Sequence, residues 1–357
     1  MTKAETNSSV WIGGPKTDLI FFCFGWVPVF LAFVLAFELG RKPELWPLLI
    51  AFVLMISFIH RHLTFPLVYA DPDQLAARKK AYLLFPFLFF LLTLAGILYV
   101  EPGLGPKARP VRPLLAVLVF LSVVWNIYHT LMQKMGILRV YSRKAGYGRP
   151  WVDKAMIWVW FVYLLLQLAA SPKVQQEVVR LSAAGRLLNR VFEPLLPAMP
   201  YLAGAALAAG LVVTGFYLRQ EFSHRGRFHW PKNLFVLSVL LLYATLGYDF
   251  VAGYAAFGFS HAIEYIAFVN VFSRRKYLAR PVQSSPLAAW IRRQALSFGV
   301  FAAGMVTIFL LWRHWSWTTL GWYILASRFL HFLYDGWIWK VRDPKVAQPL
   351  GIRPQEA

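Results

Sequence analysis

The residues of this chain best suited to chemistry are histidines and carboxylates set in apolar surroundings. In residues 259–265, FSHAIEY, His261 and Glu264 stand three apart and project from one face if the stretch is helical. An imidazole and a carboxylate at that spacing make half of a site for a borderline metal ion. Three other apolar stretches carry matching groups: FIHRHLTFP with His60 and His62, WNIYHTLMQ with His129, and SRFLHFLYDG with His331 and Asp335. His331 and Asp335 are i,i+4, and Arg328 lies one turn before them. The expected metal ligands are His60, His62, His129, His261, Glu264, His331 and Asp335, with Glu264 and Asp335 also placed for acid–base work. Ionisable groups inside an apolar span are costly, so they point to function. The plain alternative is a helix–helix hydrogen bond or, for Glu264, a side chain reaching toward the interface.

The elements that must position these groups are apolar helices. Of 357 residues, 59% are hydrophobic and 15% charged, against about 45–50% and about 25% in soluble domains. The composition predicts an all-α, polytopic integral-membrane bundle forming a single transmembrane domain over 1–357. Ten runs are long enough to span, at about 18–39, 46–69, 81–100, 113–136, 154–171, 200–219, 233–248, 251–273, 295–314 and 318–340. The seventh and eighth share one apolar stretch, split at GYDFVAG. Residues 172–199 read as an amphipathic segment lying on the surface.

The net charge of +21 resides in short loops between apolar runs. That placement points to membrane topology and phospholipid headgroups, not to nucleic acid. Most of the cations fall on the side that holds both termini, which predicts cytoplasmic termini in an inner, cytoplasmic-type membrane. The single cysteine, Cys23, excludes a disulfide framework and a thiolate metal site. The polar N-terminus, MTKAETNSSVWIGGPKTD, lacks the features of a cleaved signal peptide.

In this topology the second, fourth, eighth and tenth runs all travel inward from the outer face. Counted from their outer ends, His60, His129, His261 and His331 lie about 14, 16, 10 and 13 residues deep, a spread of roughly 9 Å. Neighbouring helices could therefore aim the four rings at one point. Thr64 and Ser57 flank His60, and Asn126 and Gln133 flank His129, as groups able to orient a ring. His60 and His62 differ by about 200° around an ideal helix, so both face one site only if Pro66 distorts the turn. His224 and His229 fall in the basic loop SHRGRFHW, and His314 in the aromatic WRHWSW. These three are expected at the interface, outside the site. Asp249 reads as a turn residue. The basic stretch KMGILRVYSRKAGYGRP after His129 is expected to continue its helix toward phospholipid headgroups.

Histidine ligation with a carboxylate and no thiolate suits iron, zinc, manganese or copper. Iron would permit oxygen chemistry on an apolar substrate arriving from the lipid. Zinc would permit hydrolysis of a lipid amide or ester, with Glu264 or Asp335 as base. Two of the histidines could instead ligate a b-type haem. In architecture and ligand type the chain resembles membrane histidine-motif non-haem iron oxygenases, which include fatty-acyl desaturases and bacterial carotene-cleaving dioxygenases. The desaturase HxxxH and HxxHH boxes are absent, and HRH at 60–62 is the nearest approach to them. HExxH is absent too, which disfavours a zincin-like protease. The expectation is an iron-dependent oxidoreductase acting on a lipid or isoprenoid, with a hydrophobic substrate and an electron donor as partners. An intramembrane zinc lipid hydrolase and an ion- or proton-coupled transporter are the alternatives.

Overall fold

Long helices dominate because apolar runs uninterrupted by turn residues satisfy their own backbone groups only as helix. The computed structural model describes residues 10–37, 45–99, 112–181, 193–224, 228–278 and 294–352, and every regular element among them is helical. We number the longer helices α1 (Val27–Phe37), α2 (Leu45–His62), α3 (Thr64–Tyr69), α4 (Lys79–Leu98), α5 (Pro113–Ala145), α6 (Pro150–Ala170), α7 (Pro172–Leu181), α8 (Met199–Ser223), α9 (Trp230–Tyr248), α10 (Phe250–Leu278), α11 (Gln294–Trp315) and α12 (Trp317–Ile338). A π-helical turn, Asp18–Cys23, precedes α1.

Seven helices are long and apolar enough to cross a membrane, or eight if the bent pair Pro15–Cys23 and Val27–Ala36 forms one span. Large apolar side chains face outward at regular helical intervals, as with Leu83, Phe87 and Leu91 on α4, exposed by 59%, 63% and 48%. Such a stripe suits a lipid surround. These features are consistent with a multi-pass membrane protein. The ten spans read from the sequence exceed this count for identifiable reasons. The first is bent by 41° at a break, and the ninth is described only as the shorter apolar helix Phe298–His314. The tenth, α12, carries Arg328, His331 and Asp335 and does not reach the same apolarity.

The split at GYDFVAG is present. Helix α9 ends at Tyr248, and the Asp249 carboxylate accepts from the Ala252 amide at 2.7 Å to start α10. The turn is tight enough that a β-carbon at Gly253 would lie 2.6 Å from the Leu246 backbone. Asp249 is thus a cap. Of the surface segment expected at 172–199, α7 and a short 3₁₀ helix, Glu193–Ala198, are described. Residues 182–192 of it lie outside the described residues.

Two helices organise the interior. Helix α10 packs against α9, α2, α1 and α5, while α12 packs against α4, α5, α11, α2 and α3. Helices α2, α5, α10 and α12 consequently meet, and these are the helices that carry the site. The break between α2 and α3 falls at Leu63, whose amide bonds the His60 carbonyl at 3.2 Å. Pro66 has no amide hydrogen to offer the His62 carbonyl, and the helix restarts at once with Thr64.

Candidate metal centre

Four imidazole rings converge where α2, α5, α10 and α12 meet. His60 stands edge-on to His261 and to His331, with ring centroids 4.9 Å apart in both cases. His129 stands 5.0 Å from His261 and 4.9 Å from His331. The rings therefore close a quadrilateral, with His261 and His331 across one diagonal at 6.4 Å. All four are buried.

The polar atoms at the centre of this arrangement lack partners. Both ring nitrogens of His60, both of His261, and Nε2 of His129 and of His331 are buried without a hydrogen bond. Buried polar atoms are nearly always satisfied. A neutral imidazole offers one lone pair and one N–H, so the four adjacent rings present four lone pairs, which suit a metal ion. One nitrogen each from His60, His261 and His331 lies within 4.8 Å of the others, and so do His129, His331 and an Asp335 oxygen. Two donors on opposite sides of a metal at about 2.1 Å are about 4.2 Å apart. A contraction below 1 Å would bring either trio to coordination distance. The residues fit a metal ion.

One turn further along each of three helices lies a second layer of groups. Thr64 follows His60 by four residues, Tyr265 follows His261, and Asp335 follows His331. The three meet: Thr64 Oγ1 lies 2.7 Å from the Tyr265 hydroxyl, and both hydroxyls reach Asp335 Oδ1, at 2.9 and 2.8 Å. The other carboxylate oxygen, Oδ2, faces Nε2 of His129 at 3.6 Å and Nε2 of His331 at 3.7 Å. Asp335 thus has one oxygen held by hydroxyls and one turned to the rings. Thr64 Oγ1 also lies 2.7 Å from His331 Nδ1. With its own proton given to Asp335, Thr64 must accept from Nδ1–H, which leaves the Nε2 lone pair directed at the centre. Phe332 lies against His129 at 4.8 Å between centroids and closes that side with apolar surface.

His62 and Glu264, expected as ligands, stand apart from the four rings. His62 uses both nitrogens, Nδ1 toward the Phe58 carbonyl and Nε2 toward the Tyr323 hydroxyl, each at 2.6 Å. It also stacks on Tyr323. The break at Leu63 carries Thr64 toward the site and leaves His62 on the opposite face. Glu264 is engaged elsewhere: Oε1 accepts from Lys134 Nζ and Ser260 Oγ at 2.6 Å each, and Oε2 from Gln133 Nε2 at 3.2 Å. Both members of the Lys134–Glu264 pair are buried, so the carboxylate acts as the counter-ion of Lys134.

The remaining sequence assignments sort as follows. Gln133 donates to the His261 carbonyl at 2.9 Å and so braces α5 against α10. Arg328, half-buried, reaches Ser122, and buried Arg61 reaches the Ile324 carbonyl and Ser327, so both guanidiniums serve helix contacts. The basic stretch after His129 does continue α5, but Lys134 pairs with Glu264 and Arg139 with Asp153. Those two cations face inward and not toward headgroups. His224 is exposed and stacks on Tyr147, while His314 is exposed. His229 is not solvated: it is buried and caps α9 through the Lys232 amide. Burial first, and then the Lys232 charge, hold its pKa down to about 4, so this ring is neutral near pH 7.

Thr64 was legible as a neighbour of His60, whereas the part played by Tyr265 was missed. The available signal was the four-residue step after each histidine, which gives Thr64, Gln133, Tyr265 and Asp335 in turn. Comparison with known proteins finds no matching family model, no matching curated protein and no matching solved structure.

Proposed function

We propose that this chain is an integral-membrane, iron-dependent oxidoreductase acting on a lipid or isoprenoid substrate. The observation that carries the reading is the ring of four buried imidazoles with six unpartnered nitrogens. Donor number favours iron over zinc. Catalytic zinc takes three protein ligands, and structural zinc takes four with none left open. His60, His129, His261 and His331 together with Asp335 Oδ2 offer one donor more than a closed zinc site uses. A six-coordinate metal would accept them all and keep a position for a reactant. The absence of a thiolate from the donor set also suits non-haem iron.

Bound iron would supply one-electron and oxygen chemistry that no side chain here can perform. The protein's own contribution is geometric and protonic. Thr64 fixes the His331 tautomer, and Thr64 and Tyr265 hold hydrogen bonds on Asp335 Oδ1, so Oδ2 stays free for the metal or for a proton. The buried, aromatic-walled surroundings exclude water, and an apolar substrate enters such a site without desolvation cost. An electron donor belongs to this reading wherever the reaction consumes more electrons than the substrate gives.

The test is elemental analysis of the purified, full-length chain, followed by turnover of lipid and isoprenoid candidates with and without oxygen. Iron bound near one equivalent, lost in His60→Ala, His129→Ala, His261→Ala and His331→Ala alike, with oxygen-dependent turnover, is the expected result. Full zinc occupancy with turnover undiminished in the absence of oxygen would replace this reading with the hydrolase. Ion flux from a metal-free protein would replace it with the transporter.

A further inference from the structure

A cleft of about 710 Å³ opens on the far side of α10 from the histidines, lined by Phe21, Ile266, Asn270, Arg274, Arg275 and Phe298 among others. Ile266, Asn270 and Arg274 recur every four residues, so one face of the helix forms the wall. Relative to His261, those positions are rotated by about 140°, 180° and 220° around the axis. Those three positions face away from the metal centre, and Arg275, rotated back toward the His261 side, lies about 21 Å along the axis from His261.

The lining changes character along the helix. At one end Phe21, Ile266 and Phe298 present apolar surface, with Phe21 exposed by 41% and Phe298 by 37%. At the other end Thr17, Asn270, Arg274 and Arg275 gather at the basic terminus of α10. Among the described residues neither Arg274 nor Arg275 makes a hydrogen bond or an ion pair. Asp18, the acidic group near Arg275, already accepts from the amides of Ile12 and Gly13 and from the Tyr141 hydroxyl, each at 2.7 Å. Two guanidiniums that no carboxylate hydrogen-bonds among the described residues, above an apolar wall, complement an amphiphile with an anionic head.

We propose that this cleft binds one anionic phospholipid, its phosphate held by Arg274 and Arg275 and an acyl chain laid against Phe21, Ile266 and Phe298. Guanidiniums engage phosphate oxygens with paired, forked hydrogen bonds. The Asn270 amide and the Thr17 hydroxyl are placed for the glycerol and ester oxygens. Because the site lies behind α10, the lipid is a bound companion of the fold and not the substrate.

The test uses the full-length chain in phosphatidylcholine nanodiscs containing graded phosphatidylglycerol, with retained lipid read by native mass spectrometry. One phosphatidylglycerol per chain should be retained, and Arg274→Gln/Arg275→Gln should weaken retention by roughly 30-fold. Lys79→Gln/Lys80→Gln, which removes two exposed cations elsewhere, should leave retention intact. Metal content should be the same in all three proteins, which separates this site from the histidine centre. Equal loss in the Lys79/Lys80 control would mean diffuse surface charge and overturn the proposal. So would displacement by inorganic phosphate at the affinity of the lipid, which would make the cleft a simple anion site. If the double Gln variant misfolds, Arg274→Lys/Arg275→Lys keeps the charge without the fork, and retention unchanged from wild type there refutes the guanidinium contact.

Discussion

Replacing Thr64 by Val isolates what one hydroxyl does for the histidine centre. The exchange keeps the branched shape at a fully buried position and removes contacts of 2.7 Å to His331 Nδ1, 2.7 Å to the Tyr265 hydroxyl and 2.9 Å to Asp335 Oδ1. The last two are partly compensated, because Tyr265 keeps its own 2.8 Å bond to Asp335 Oδ1. The first is not. A metal on Nε2 forces the His331 proton onto Nδ1, where it would have no acceptor, at a cost of about 1–3 kcal/mol. The metal-free ring escapes that cost by moving its proton to Nε2. The penalty therefore falls on the bound state alone and appears in affinity, as about a 10–100-fold loss. The assay is competitive iron titration against a chelator of known strength, with Thr64→Ser as rescue. Val within twofold of wild type, or Ser as weak as Val, would refute the orienting role.

The other predictions test different parts of the structure. Ala at His62 should leave metal content unchanged but lower the melting temperature, because it removes the Phe58 and Tyr323 contacts and no ligand. Glu264→Gln should likewise retain metal, and should destabilise the fold by about 3–5 kcal/mol by leaving Lys134 buried and unpaired; an unchanged denaturation midpoint, or lost metal, would contradict the counter-ion role. Asp71, which caps Pro72–Ala77, is raised by burial but more strongly lowered by bonds from Lys276 and Tyr277, so its folded pKa lies below the usual 3.8. Its stabilisation is present above that ordinary value and lost as pH falls through the depressed one. The difference in melting temperature between wild type and Asp71→Asn should therefore be constant from neutral pH to about pH 5 and shrink below pH 4; a constant gap down to pH 2 would refute the assignment.

The convergence of His60, His129, His261 and His331 was legible because depth can be counted along a helix at a fixed rise. Four histidines at similar depth on four runs of the same direction needed only close packing to meet. The roles of His62 and Glu264 were not legible, for different reasons. For His62, the ring direction depends on where the break near Pro66 falls, and a one-residue shift turns a helical side chain by about 100°. For Glu264, the deciding partner lies on another helix. Lys134 follows His129 by five residues and belongs by sequence to a basic stretch, KMGILRVYSRK, that suggests a solvated end. Only the packing of α5 against α10 turns this one cation inward. Seven or eight spans meet the length and apolarity expected of a membrane helix, where the sequence suggested ten. Helix α12 is a core helix that bears His331, Asp335 and Arg328, and these polar residues lower the apolarity by which a span is recognised.

The way buried charge is handled explains why the candidate centre is built mainly of histidine. Inside an apolar bundle an ionised side chain must find a partner or become neutral. Four buried carboxylates elsewhere pair with cations: Glu264 with Lys134, Glu221 with Lys232, Asp153 with Arg139 and Asp71 with Lys276. Buried Asp18 is held instead by the Ile12 and Gly13 amides and the Tyr141 hydroxyl. Breaking such an ion pair to bind a metal would leave an unpaired charge buried. Neutral imidazoles avoid the conflict, since they can wait without a counter-ion and still offer lone pairs when a metal arrives. Asp335 is the one carboxylate at the rings, and it is managed differently again, by two hydroxyls on one oxygen in place of a cation. Substituting Tyr265 by Phe removes one of those hydroxyls while Thr64 still bridges to His331. The consequence should be milder than that of Thr64→Val, a loss toward the lower end of the 10–100-fold range. If Tyr265→Phe instead abolishes metal binding, Asp335 depends on the phenol for its placement, and the order of importance argued here for the two hydroxyls is reversed.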